Sequence, residues 1–225
     1  MRKLTQLIAF CSILLALASC SKEKSLDTLG STPGGTSGNG NGNGNGSGNG
    51  GSSNGSEIAN WKFVSMHVVT SETMEFDMMG MAYKVITTSD YTTNDNAGFF
   101  KFDGSAMSTT DWAFSVNTQQ KLSVTASGQS VPAQNIPFTA QLDPTTESSN
   151  YKKIGTDSLY FGAGVTIGLN TSGFEDQRPA GCKLKWDGDK LYMTWTYTET
   201  STGDYNGITA KVIGKYTYVT TLQKQ

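Results

Sequence analysis

Histidine is almost missing from this chain of 225 residues: His67 is the only one. An imidazole metal site needs several ligands, and a Ser-His-Asp or Cys-His device would have to use this single residue. No Gly-x-Ser-x-Gly elbow accompanies it, and alternation along Val64, Met66 and Val68 puts His67 on the opposite, wet face. Charge of one sign is missing too. Seventeen Lys and Arg stand against 19 Asp and Glu with no basic block, which removes the electrostatic footprint of a nucleic-acid binder and a polybasic grip on anionic lipid. There is no apolar stretch of the ~20 residues that a membrane-crossing helix needs. Helical spacing of apolar residues is nearly absent. Cysteine occurs three times, at positions 11, 20 and 182.

What is present begins at the amino terminus. Arg2 and Lys3 precede an apolar run over 7–18, which ends in Leu17-Ala18-Ser19-Cys20. A basic start, a short apolar centre and small residues before a cut describe a secretory signal peptide over 1–19. Cysteine directly after Leu-Ala-Ser resembles the lipobox of bacterial lipoproteins. That resemblance implies that the Cys20 thiol carries acyl chains of the palmitate kind and becomes the first residue, so that the protein is held to membrane covalently. More than one acyl chain makes such an anchor firm. Losing Arg2 and Lys3 leaves 15 basic against 19 acidic residues, a net charge of −4. Cys11 leaves with the signal and Cys20 is spent on lipid, so Cys182 has no internal partner. It shares a side with Leu184 and Trp186 and is expected to be buried and inert.

Glu23, flanked by Lys22 and Lys24, partly resembles the export signal of surface lipoproteins. These resemblances imply an outer-membrane lipid anchor, on the periplasmic face or at the cell surface. Asp27-Thr28-Leu29 and Asp157-Ser158-Leu159 resemble O-glycosylation acceptors, of which Thr28 is the candidate. Positions 20–56 are dominated by Gly, Asn and Ser. Such a stretch has maximal backbone entropy and nothing to bury, so a disordered linker is expected, with a root-mean-square span of roughly 35 Å at ~5–6 Å per square root of residue number.

Over 57–225 short alternating runs recur between Gly, Asn, Asp and Pro clusters, the pattern of an all-β domain with antiparallel sheets. Trp61 and Phe63 lead into Val64, Met66 and Val68; then come Met81, Tyr83 and Val85, and Phe100 and Phe102 before Asp103-Gly104. Trp112, Phe114 and Val116 follow, then Leu122, Val124 and Ala126, and Ile136, Phe138, Ala140 and Leu142, with Pro132 and Pro137 marking an edge or bulged strand. Leu159 to Phe161 and Val165, Ile167 and Leu169 are two more. A hairpin turns at Asp187-Gly188-Asp189, and Leu191, Met193, Trp195 and Tyr197 share one face beyond it. A polar loop over 201–207 precedes a last strand over 208–221. Nine or ten strands are expected.

A first strand opening on Asn60-Trp61-Lys62-Phe63-Val64-Ser65, a run of hairpins and a last strand with Tyr216 and Tyr218 resemble lipocalin-like lipoproteins. The family's Gly-x-Trp reads Ala59-Asn60-Trp61 here, without its glycine. The resemblance implies an antiparallel up-and-down β-barrel whose first-strand tryptophan closes the bottom and whose mouth can hold a small apolar ligand. A β-sandwich is the alternative architecture. The functional expectation is a lipid-anchored envelope protein, non-enzymatic and monomeric, that binds or carries such a ligand; the alternative is a surface module binding glycan or protein.

Met74, Met78, Met79 and Met81 crowd around Gly80. Thioethers can ligate haem iron, but methionine is foremost an adaptable apolar filler, so a lip over a barrel mouth or plain packing is expected, with no cofactor and no metal. Met78, Met79, Met81, Trp61 and Trp195 are the candidate ligand contacts. Trp112, Trp186 and Trp195 fall on apolar faces and are expected in the core; Tyr160, Tyr192 and Tyr205, on polar faces or in loops, are the better glycan contacts. Asp187 and Asp189, Asp143-Pro144 and Glu175-Asp176 all read as turn chemistry, so no carboxylate pair points to glycoside hydrolysis.

Overall fold

The computed structural model describes residues 55–163, 179–205 and 207–225, without the Tyr205 side chain. Within them the chain is all-β: eleven strands in one antiparallel sheet that curls into a partial ring. They are β1 (Ala59–Met78), β2 (Met81–Thr92), β3 (Asn94–Phe102), β4 (Ala106–Ala126), β5 (Gln129–Thr145), β6 (Ser148–Asn150), β7 (Lys152–Ile154), β8 (Ser158–Phe161), β9 (Ala180–Asp187), β10 (Lys190–Tyr205) and β11 (Ile208–Lys224). A single sheet replaces the two packed layers that the sandwich alternative would need. Cys20, Thr28, the linker through 54, Val165, Ile167, Leu169 and Glu175-Asp176 lie outside the described residues.

The order is a meander. β11 pairs with β1 from Trp61↔Lys224 to Phe76↔Ala210. The other edge of β1 is shared by β2, from His67↔Thr92 to Met78↔Met81, and by β3, from Ala59↔Phe102 to Lys62↔Phe99. β2 and β3 are thus one run broken at Thr93, and the break is stitched to β1: the Thr93 N–H donates to the Met66 carbonyl at 3.0 Å and the Met66 N–H to Thr93 Oγ1 at 2.9 Å. β4 takes β3 and β2 on one edge, β5 and β6 on the other. Only Tyr151 separates β6 from β7, and β7 pairs with β8, β8 with β9, β9 with β10. The chain therefore steps from the neighbour of β4 to the neighbour of β8 through one residue, so at that point covalent continuity and no ladder joins the two sides of the ring. Among the described residues β5 pairs with β4 alone, as its prolines demand.

One end of the ring is a dry aromatic core. Trp61, Phe63, Phe102, Phe114, Phe161, Leu191 and Met193 are among its fully buried side chains. Trp195 packs on Phe161 with ring centroids 5.2 Å apart, and Phe63 meets Trp112 edge-on at 6.2 Å. Residues 55–57 enter at this end. Gly55 lies against the Trp186 indole so closely that a Cβ would have no room. Trp61 Nε1 donates to the Glu57 carbonyl at 2.8 Å, and the buried Glu57 carboxylate takes the Lys153 ammonium at 2.5 Å, which satisfies a charge that burial alone would penalise.

Several expectations change in detail. Val64 is 38% exposed instead of joining Met66 and Val68, because the register shifts between Phe63 and Ser65; a bulge adds a residue and reverses the phase of everything before it. Met81 is exposed beside the turn while Tyr83 and Val85 are buried. The polar loop over 201–207 is strand as far as Tyr205, because ladder pairing to β11 continues from Ser201↔Val212 to Tyr205↔Ile208. The β9–β10 loop is Gly188-Asp189, closed by Asp187↔Lys190, with glycine at φ 61 in its first position. Trp186 is half-buried, unlike Trp112 and Trp195.

Candidate functional site

Beyond the aromatic core the inward face turns polar. Tyr216 and Tyr218 of β11 stack with Tyr197 of β10, at 4.6 Å between Tyr197 and Tyr216 and 6.0 Å between Tyr197 and Tyr218. Tyr216 is flanked in register by Tyr197 and Thr70, and Thr70 by Ser89, so one row crosses four strands. In the next row Gly214 stands between Glu199 and Glu72. The Tyr216 ring leans back across the bare Cα of Gly214. Its hydroxyl thereby lands between the two carboxylates, 2.8 Å from Glu72 Oε1 and 3.0 Å from Glu199 Oε1.

Burial, and then the negative charge of Glu72 and Glu199, pushes the Tyr216 hydroxyl far above its usual range. Burial raises Tyr218 as well, followed by the Tyr197 hydroxyl at 3.4 Å. Burial alone lifts Tyr91 to about 12, where it packs on Phe138 at 6.0 Å. The Tyr216 hydroxyl is held as a donor between the two carboxylates. Tyr216 and Tyr218 are buried at the margin of the core cluster, and Tyr197 covers them from a 40% exposed position.

On the wall beside these tyrosines, β2 and β4 part company. Their ladder ends at Thr88↔Lys121, and β3 resumes pairing with β4 only at Asn94↔Ser115. An open groove of about 490 Å³ lies there, lined by Val69 and Ser71 of β1, Thr88 and Asp90 of β2, and Gln119 and Lys121 of β4, with Asn135 of β5 at its edge. Thr70 and Ser89 reach the same groove from the row that carries Tyr216. The Ser89 hydroxyl is buried with no hydrogen-bond partner. At the rim His67 Nε2 is 2.8 Å from Asp90 Oδ1, both side chains well exposed. Gln119, Asn135, Lys121, Asp90 and several hydroxyls bring polar groups to this groove, while carbon makes up the larger part of its lining.

The candidate ligand contacts are not brought together. Trp61 and Trp195 sit in the aromatic core, each nearly fully buried. Met78, Met79 and Met81 surround the β1–β2 turn at the opposite end of β1, which from Trp61 is roughly 55 Å of strand at ~3.3 Å per residue. Tyr160 is exposed on β8, Tyr192 is half-buried on β10, and the Tyr205 side chain lies outside the described residues. The Glu72–Tyr216–Glu199 group was invisible in the sequence: Tyr216 is 144 positions from Glu72, and only register brings them together. A tyrosine two residues after a glycine in a strand is a usable signal, since aromatic rings pack on bare Cα positions of a sheet.

No protein family, curated protein or solved structure matches this chain.

Proposed function

We propose that this chain is a non-enzymatic binding domain of the bacterial cell envelope, anchored through acylated Cys20 and the linker behind it, and that the groove over β1, β2 and β4 takes a short glycan or a similar polyhydroxylated ligand. The 490 Å³ groove carries this reading. Its size falls in the usual range for a small-molecule site, and Gln119, Lys121, Asn135 and Asp90 supply donors and acceptors of the kind that sugar hydroxyls bind. The test is a glycan array and calorimetry on the chain starting at residue 21, with Lys121→Ala and Asn135→Ala as controls. Hits that both variants weaken at least tenfold are expected. An empty array, or hits indifferent to both substitutions, would rule the reading out.

A second reading is the small apolar ligand of a lipocalin-like barrel. It is supported by Met74, Leu122 and Ile136, apolar side chains outside the core cluster that remain only half-buried. Native mass spectrometry of the protein purified from its own host separates the two: a retained lipid would favour this one, a retained saccharide the first.

A further inference from the structure

Met78, Met79 and Met81 stand within one four-residue turn. Met78 and Met81 are the last ladder pair of β1 and β2, which puts their Cβ atoms ~4.5–5.5 Å apart on one face. The next pair on that face is Phe76 and Tyr83, both buried, with rings stacked at 5.2 Å and 8° from parallel. That ring pair is the neighbour of Met78 and Met81 on the same face, and sulfur against an aromatic ring is a favourable contact. Packing therefore accounts for Met78 and in part for Met81.

Packing does not account for Met79. It is 87% exposed and holds φ 51, followed by Gly80 at φ 73. Two positive φ values make a type I′ turn, whose first position strongly favours Asn, Asp or Gly. A long apolar side chain there strains the turn and buries almost nothing.

We propose that Met78, Met79 and Met81 form a site for a soft monovalent cation, Cu(I) above all. Thioether sulfur is a neutral, polarisable donor, and soft sulfur ligands select Cu(I) over harder ions. A β-turn holds its first and fourth Cα atoms within 7 Å, and each methionine has three rotatable side-chain bonds, so three sulfurs can close on one ion above the Phe76–Tyr83 floor. Among the described residues no group of three or more His, Cys, Asp or Glu converges, and the soft donor Cys182 is buried in the core. The turn is the place in the described domain where soft ligands meet solvent.

The full chain and a variant carrying Met78→Leu, Met79→Leu and Met81→Leu are titrated with Cu(I), under ascorbate and without oxygen, against a chromophoric Cu(I) chelator. All cysteines are common to both proteins, so the difference isolates the turn. The native chain is expected to hold one equivalent more than the variant, with an all-sulfur shell in X-ray absorption; equal retention overturns the site. Zn(II) titrated in the same way is expected to show no difference, and an equal gain for Zn(II) would overturn the soft-donor assignment. Met79→Asn separates ligand from scaffold: it should match or exceed the native melting temperature while weakening Cu(I) binding at least tenfold. Unchanged affinity in that variant would remove Met79 and with it the three-thioether site.

Discussion

The Tyr216 ring packs on Gly214 so closely that a Cβ at position 214 would collide with it. Gly214→Ala is therefore expected to destabilise the domain by about 1–3 kcal/mol, as overpacking does. Tyr216→Phe keeps the ring but leaves Glu72 and Glu199 without the hydroxyl between them, at a cost of about 1–3 kcal/mol. Because both changes act on one contact, the double variant should lose less than the two single losses added together. Urea unfolding of the four proteins measures this, and strict additivity would show that Gly214 does not place the hydroxyl.

Phe161 is fully buried between Tyr151 and Trp195. Phe161→Ala should cost about 3–5 kcal/mol, the lost transfer energy plus the cavity left behind. Phe99, on the same sheet but 47% exposed, should lose well under ~1 kcal/mol as Phe99→Ala. Similar losses at the two positions would mean that the core is not where the burial pattern puts it.

Asp103 organises the β3–β4 turn. Its Oδ1 accepts the Ala106 N–H at 2.7 Å, the Ser105 N–H at 2.8 Å and the Ser105 hydroxyl at 2.9 Å. These bonds, that of Ala106 foremost, hold its carboxyl below the usual carboxylate range. A depressed folded-state pKa contributes stability above the unfolded value of ~3.9, and that contribution disappears as pH falls through the folded value. Asp103→Asn should thus be less stable than the native chain at pH 7, and the gap should narrow towards pH 2. Urea midpoints that stay parallel across that range would contradict the assignment.

Cys182 is buried among core side chains, and burial pushes its thiol far above the ordinary cysteine range. Since the thiolate is the reacting species, Cys182 in the chain starting at residue 21, where it is the one cysteine, should ignore Ellman's reagent when folded and react stoichiometrically in denaturant. Rapid labelling of the native chain would place the thiol at the surface.

Much of the fold could be read residue by residue. Alternation exposes itself locally, so the inward stripes Trp112-Phe114-Val116 and Leu191-Met193-Trp195, the solvent side of His67 and the burial of Cys182 all followed from a period of two. The edge character of β5 followed from proline, which has no N–H to offer a ladder. Where side chains are polar on both faces, as over 70–73 and 201–205, the pattern fades and ladder pairing, with β11 and β2 for the first and with β11 for the second, makes strand.

By itself, then, the amino-acid order determined an all-β domain with antiparallel strands, most of its buried stripes and the tight turns at Gly104 and Gly188. It could not decide the phase of Val64, the slot between β2 and β4, or the meeting of Glu72, Glu199 and Tyr216. Side-chain alternation is set by each residue and its neighbours, whereas a bulge, a missing ladder and a three-strand contact depend on register between segments far apart in the chain. Register is a property of the whole curled sheet, so only the tertiary structure carries it.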